Sequence, residues 1–349
     1  MDDDATRAAL EAWLRGRLGD DHLTVGEFGR PKSGFSAETL IFDARVHGDR
    51  TERLVLRKEV PDPAVYPQQA PGLDVEIDIQ YRVMHSITSQ RSAPVASLVG
   101  YEGDPVVLGA PFFVMRFVAG EVPTESPPYT ESGFFVDAAP ENRRRMIDNG
   151  LRALATLHTM DWRKAGLDWL VAPGTTPGTA AQLALWQAYA HRELGDRDHP
   201  LLEKAFAWLH EHLPAQETIG FSWGDPRPGN IIWDDFDVAC LTDFEAASIT
   251  TPDHDLGWWL MFDRTMHPDG SRLPGDPTRD EQRAMYEEHA RRRVGDTTFH
   301  EVFAATRYSA IVVRVMNRLE ERGQLPSDHM IWRDNPASVC LAELFDELA

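Results

Sequence analysis

The stretch Phe221-Ser222-Trp223-Gly224-Asp225-Pro226-Arg227-Pro228-Gly229-Asn230-Ile231-Ile232-Trp233 holds the residues best suited to chemistry. Asp225 and Asn230 share a loop whose prolines and glycines fix its course. The apolar runs 231–233 and 238–242 read as two strands joined by a turn over 234–237. Such a hairpin brings Asn230 and Asp243 to one end, with Glu245 just beyond, so an amide and several carboxylates converge. Two carboxylates ~4 Å apart repel by roughly 4 kcal/mol at an effective dielectric of about 20. A hard divalent cation removes that cost, and oxygen ligands from Asn and Asp are what Mg²⁺ prefers. Magnesium takes its other ligands from water and substrate phosphates, so the cluster points to phosphoryl transfer. In that chemistry Asn230 and Asp243 hold the metal, and Glu245 supports its water shell or contacts the acceptor. Asp225 accepts or orients the proton of a substrate hydroxyl, and Arg227 offsets charge near the transferred group. Taken singly, these are ordinary turn residues; turns do not require the ordered set.

The surrounding pattern must position these groups. A helix is expected from Asp4, with Ala8, Leu10, Trp13 and Leu14 at helical spacing. Short β-like runs follow at 23–28, 39–46 and 53–58, then a helix over 73–87 and two further strands at 95–101 and 112–118. Beyond Gly120 the periodicity turns helical, over 141–160, 180–192, 201–213, 280–294 and 301–322, interrupted by the β-rich island 221–249. The organisation is a β-rich lobe, a connection near 115–120, and a helical lobe carrying the island.

Composition excludes several classes. The 349 residues carry 35 Lys plus Arg against 56 Asp plus Glu, a formal charge of −21, which argues against nucleic-acid binding. Cys240 and Cys340 are too few for a disulfide framework or a cysteine-based metal site. No apolar run approaches the ~18 residues of a membrane span, and Met1-Asp2-Asp3-Asp4 lacks the features of a secretory signal, so a soluble cytoplasmic protein is expected. His210 and His212 lie on different faces of a helix, and neither they nor His300-Glu301 match a zinc spacing. His158 reads as a packed helix end. Trp258, Trp259 and Phe262 read as core, or as the wall of an acceptor pocket.

The order Gly-Asp-(four residues)-Asn, strand, turn, strand, Asp-aromatic-Glu resembles the catalytic loop and metal-binding segment of the protein-kinase-like superfamily. More closely it resembles the aminoglycoside phosphotransferase and choline kinase group, through 223–230, 243–245 and Thr251-Pro252-Asp253-His254-Asp255-Leu256. Within that group it is most similar to a subgroup related to a domain fused to some acyl-CoA dehydrogenases. The likeness extends upstream to Gly34 and 108–120, so it covers most of the chain. It implies an α+β, protein-kinase-like two-lobe fold, with a nucleotide-binding lobe over 1–118 and a catalytic, acceptor-binding lobe over 119–349. It further implies Mg²⁺, ATP or GTP as donor, and a small hydroxyl-bearing acceptor. Trp223 stands where many relatives have His, so the orienting hydrogen bond of that imidazole is expected to be absent. Asp255 is expected to hold the catalytic-loop backbone.

No Gly-(four residues)-Gly-Lys-Ser/Thr element occurs, which excludes a P-loop. The phosphate cradle expected instead is the segment 31–39, where Gly34 lets backbone N–H groups approach a phosphate and Ser33 and Ser36 can donate. In Arg53-Leu54-Val55-Leu56-Arg57-Lys58, a period of two buries Leu54 and Leu56 and turns Arg57 to the cleft, so Arg57 is chosen over Lys58 as the phosphate cation. Its orienting acid should sit on the next helix: charge logic favours Glu76, while likeness to the family's helix favours Gln80. The segment 114–118 resembles the inter-lobe connector, whose backbone at Arg116 and Val118 would pair with adenine. A nucleotide-binding module without phosphotransfer activity is the alternative reading.

Overall fold

The computed structural model describes residues 3–30, 37–48, 50–62 and 64–349. The expected cradle residues Ser33, Gly34 and Ser36 lie outside the described residues.

The chain opens with helix α1 (Asp3–Leu18) and strands β1 (Thr24–Gly29), β2 (Glu38–Val46) and β3 (Arg50–Lys58). Helix α2 (Glu76–Gln90), β4 (Leu98–Glu102) and β5 (Phe112–Arg116) complete a five-stranded antiparallel sheet of order β1-β2-β3-β5-β4. Its two faces are apolar for different reasons. Leu40, Phe42, Leu54, Leu56, Phe112 and Val114 pack under Leu10 and Leu14 of α1 in one core. Phe113, on the opposite face, joins Ile77, Val83 and Ile87 of α2 in a second core that runs on into the helices beyond. The alternation along β3 puts Val55 and Arg57 on this second face.

Helix α2 starts later than the periodicity from residue 73 predicts, because Leu73 N–H closes a turn on Ala70 C=O (3.2 Å). It ends where Arg91 adopts φ 53° and its N–H returns to the Ile87 and Thr88 carbonyls. The strand expected over 95–101 begins at Leu98, because residue 94 serves the other lobe: the Leu241 N–H donates to Pro94 C=O (2.8 Å).

The connector leaves β5 with Phe117 N–H still donating to Arg53 C=O (2.9 Å). It then passes so close to the island that a Cβ on Gly120 would meet the Trp233 carbonyl oxygen at 2.4 Å, at φ +148°; only glycine fits. The remaining elements are α3 (Phe134–Asp137), α4 (Pro140–Leu157), α5 (Thr179–Leu194) and α6 (Pro200–Glu211). Short strands β6 (Gly220–Ser222), β7 (Ile231–Asp234), β8 (Asp237–Leu241) and β9 (Ser248–Thr250) follow, then α7 (Asp253–Thr265), α8 (Arg279–Ala290), α9 (Thr298–Glu321) and α10 (Pro336–Glu347). Among the described residues, no helix is long and apolar enough to cross a membrane.

Asp263, His267 and Asp276 form a buried cluster whose ligand atoms lie within 4.8 Å of one another. Arg272 pairs with both carboxylates, and His267 sits between the Asp276 carboxylate (2.7 Å) and the Asp263 carbonyl (2.7 Å). Arg272 and the His267 ring thus face the two carboxylates, and the cluster pins the loop after α7. Burial opposes the imidazolium, but its hydrogen bond to Asp276 and the Asp263 charge outweigh it and raise the His267 pKa above its ordinary value near 6.5. The stability this contributes is full below about pH 6.5 and is lost as pH rises through the raised folded value. The Tm gap between the parent and His267→Gln is therefore expected to be wider at pH 6 than at pH 9; a gap that does not change with pH contradicts this.

Candidate active site

Strand β7 leaves the loop 223–230 and returns through β8 by a two-residue turn at Asp235 and Phe236, whose φ values of 46° and 66° match the twist of a tight hairpin. The Asn149 side-chain amide holds this turn through the Phe236 carbonyl (3.0 Å) and Asp237 (2.6 Å). At the open end, the Thr242 N–H (3.0 Å) and hydroxyl (2.9 Å) both donate to the Asn230 carbonyl. The hairpin thus delivers Asn230 and Asp243 side by side in the chain path.

Asp225 is 4% exposed and its carboxylate is crowded with donors. Oδ1 accepts from the Trp258 indole N–H (2.7 Å), and the Arg227 Nε lies 3.0 Å from the same oxygen. Oδ2 accepts from the Asn230 amide (2.8 Å) and the Tyr66 phenol (3.1 Å). The loop bearing it hangs on Asp255, at the start of α7. That carboxylate, fully buried, accepts from Ser222 Oγ (2.7 Å), Trp223 N–H (2.7 Å) and Gly224 N–H (2.9 Å). His158 Nε2 lies 2.8 Å from it and is steadied through Nδ1 by the Tyr286 hydroxyl (2.7 Å). The Arg307 guanidinium stacks on Trp186 and Trp258 and donates to the Gly224 carbonyl (2.7 Å). Gly224 itself has φ +91°, and a Cβ there would meet the Ala246 carbonyl oxygen at 2.1 Å.

Trp223 has no imidazole to offer, but it makes hydrogen bonds of another kind. Its indole N–H donates to the carbonyls of Thr242 (2.9 Å) and Asp243 (3.0 Å), tying the loop to the segment after β8. The residue differs from the family's His, but it still supplies a hydrogen bond. Asp243 itself takes φ 54°, which turns its side chain out of the β8 register.

Arg57 reaches across from β3 and donates to Asp243 (3.2 Å), whereas Lys58 pairs with Glu38 (2.7 Å). Glu76 is buried and accepts the Val65 N–H (3.0 Å) on one oxygen; its other oxygen has no hydrogen-bond partner among the described residues. Burial, opposed by that N–H and reinforced by Glu59, pushes its pKa up to about 7. Gln80 is equally buried one turn on. Glu245 is held under Asp243 with one oxygen buried and unpartnered among the described residues, and burial followed by repulsion from Asp243 and Glu76 pushes it up to about 8. Arg227 pairs with Glu125 and lies over the Phe262 ring. Burial disfavours its charge, but Asp225 and Glu125 raise its pKa on balance. The Arg116 N–H donates to Ser97 C=O (2.8 Å), so a contact to adenine there would use its carbonyl, with Val118 beyond the end of β5.

The donor set suits a hard cation. It consists of carboxylate and amide oxygens, with one buried Glu245 oxygen that has no hydrogen-bond partner among the described residues and the Asp243 carboxylate paired with Arg57. Asn230 commits its Nδ2 to Asp225, so its oxygen is the end a cation would meet. Sequence reasoning missed Tyr66 and Glu125, and read Trp258 only as core or pocket wall. Tyr66 and Glu125 meet the loop from distant segments that no local pattern connects to it.

The family model described as "Phosphotransferase enzyme family" matches residues 31–295. Among curated proteins, an Arabidopsis thaliana protein named as a probable acyl-CoA dehydrogenase, IBR3, is 25% identical over 251 residues, 68% of this chain and 28% of that protein. The chain spans about a quarter of the length of the curated relatives it matches, 28% and 22% for the first two. Among solved structures, a candidate aminoglycoside phosphotransferase from Ralstonia eutropha JMP134 superimposes with a TM-score of 0.70 at 23% identity, covering 97% of this chain and 98% of that one. A thermostable mutant of aminoglycoside phosphotransferase APH(4)-Ia, in ternary complex with AMP-PNP and hygromycin B, gives 0.60 at 11% identity, covering 98% and 99%. At these identities the structural likeness establishes the fold: two lobes, protein-kinase-like, a β-sheet lobe followed by a mainly helical one.

Proposed function

Because the chain belongs to the phosphotransferase enzyme family, we propose that it transfers the γ-phosphoryl group of ATP or GTP to a hydroxyl of a small molecule, with Mg²⁺. The observation that carries this reading is the placement of Asp225. Its loop is fixed by Asp255 and Arg307, and the Asn230 amide that contacts it lies at the root of the hairpin delivering Asp243. Phosphoryl transfer through a loose transition state needs positioning and charge stabilisation more than covalent chemistry, and a rigid acidic loop of this kind supplies positioning.

In this reading residues 1–118 bind the nucleotide and 119–349 carry the acceptor and the reacting groups. Asp225 accepts the hydroxyl proton of the acceptor and aims its oxygen at phosphorus. Arg57 gives up part of its contact with Asp243 to phosphate oxygens, and Ser33, Gly34 and Ser36 are the residues proposed to cradle them. Glu76 steadies the β3–α2 junction beside it. Arg227, held by Glu125, sits where charge develops on the transferred group. Asn230 and Asp243 would hold Mg²⁺, with Glu245 behind them; bound there, the ion neutralises phosphate charge. The backbone at Arg116 and Val118 receives the base. The solved relative bound to AMP-PNP and hygromycin B supports a nucleotide donor and a polyhydroxylated acceptor class.

The test is ³¹P NMR of Mg·ATP or Mg·GTP incubated with the protein and a panel of hydroxyl compounds: aminoglycosides, macrolides, amino alcohols and sugars. A new phosphomonoester signal, lost in the Asp225→Asn variant, is expected. No phosphorylated acceptor and no Asp225-dependent nucleotide hydrolysis contradicts the reading.

A further inference from the structure

A carboxylate offers about four lone-pair directions. On Asp225, Oδ2 accepts from both Asn230 and Tyr66, while Oδ1 accepts from Trp258 and has the Arg227 Nε 3.0 Å away. An incoming hydroxyl that bonds Oδ2 must therefore replace one of its two donors. Asn230 and Arg227 belong to the catalytic loop itself, and Trp258 is a buried residue of α7. Tyr66 alone comes from the other side of the cleft, from the segment between β3 and α2. It is also the only one of the four that presents an O–H, the same donor an alcohol substrate would present.

The segment is held where the phenol needs it. Val65 N–H donates to Glu76, and its carbonyl accepts from the Tyr189 hydroxyl of α5. Ala64 C=O accepts from Arg314 of α9 (3.3 Å), and Gln69 accepts from Gln182 of α5 (2.7 Å). The strap thus leaves the sheet lobe, touches two helices of the other lobe and sets one hydroxyl on the carboxylate. Burial and the charge of Asp225 raise the Tyr66 pKa well above its ordinary value, so the phenol stays a donor.

We infer that Tyr66 is an internal stand-in for the acceptor alcohol: it keeps water off Asp225 until a substrate hydroxyl displaces it, and so sets the preference for alcohol over water. This rests on the phosphotransfer role given to Asp225 above. The reaction it suppresses is hydrolysis. In it, a water oxygen bonds to the γ-phosphorus, the bond from that phosphorus to the bridging β-oxygen breaks, and the water proton passes to Asp225. The products are the nucleoside diphosphate and inorganic phosphate.

The experiment measures phosphate release from Mg·ATP and from Mg·GTP without any acceptor, in the parent, Tyr66→Phe and Tyr66→Phe/Asp225→Asn. Phenylalanine keeps the ring and removes only the hydroxyl. Hydrolysis is expected to rise about tenfold in Tyr66→Phe, the scale of one exchanged hydrogen bond, and to fall back in the double variant. Misfolding cannot produce such a gain. If Tyr66→Phe binds nucleotide as the parent does but hydrolyses it no faster, the inference is overturned. It is equally overturned if mass spectrometry of the parent finds phosphate on Tyr66, since the phenol would then be a substrate rather than a guard. If neither protein binds nucleotide at all, the phosphotransfer reading itself fails and this inference falls with it.

Discussion

Asp225→Asn is expected to lower turnover by about 10³-fold while leaving the nucleotide Kd within about twofold, on the scale of a lost general base. The asymmetry follows from the geometry. The carboxylate touches Tyr66, Trp258, Asn230 and Arg227, none of which is the Arg57 assigned to phosphate. The amide keeps the volume and one acceptor oxygen, so the loop retains its course, but it cannot take a proton from an alcohol. Single-turnover kinetics with a saturating acceptor, alongside calorimetric nucleotide titration, separate the two effects. Turnover at the parental rate shows that another group is the base.

The second large effect belongs to a residue that touches no substrate in this account. Asp255→Asn should cost about 3–5 kcal/mol of folding stability and remove most activity with it, since hydrogen bonds to a buried charge are worth about 1.5–3 kcal/mol each. Asp255 accepts from Ser222, Trp223 and Gly224, with His158 on the same carboxylate; an amide offers one oxygen and turns an N–H₂ towards donors. Urea unfolding reads the loss. A variant within 1 kcal/mol of the parent would mean that the loop is held chiefly by Arg307 and Trp223.

Much of this was legible because the informative residues are close in sequence. The hairpin from Ile231 to Leu241 is read from apolar runs around a polar turn, and a hairpin leaves no choice about which ends meet. Arg57 is legible from alternation alone, since Leu54 and Leu56 needed a core and α1 supplies it. Asp255 was placed by likeness to a family, and its four partners explain why that position takes a carboxylate. Helix α10 went unread, although Asn335-Pro336 is a helix start whose amide oxygen caps the Ala337 and Ser338 N–H groups. What no pattern could supply was Tyr66 and Glu125. Their partners, Asp225 and Arg227, lie 159 and 102 residues away, and only tertiary packing pairs them. Trp223 lacks the imidazole of many relatives, and only tertiary contacts show that its indole N–H anchors the loop instead.

The central claim is that oxygen-bearing side chains at the root of this hairpin gather a magnesium–nucleotide complex. Calorimetric titration of ATP with and without Mg²⁺, in the parent and in Asp243→Asn, tests it most directly. The account predicts that Mg²⁺ tightens binding to the parent by at least about tenfold, one charge-assisted contact's worth, and leaves Asp243→Asn unchanged. A parent indifferent to Mg²⁺, or a variant that keeps the full metal effect, would contradict it.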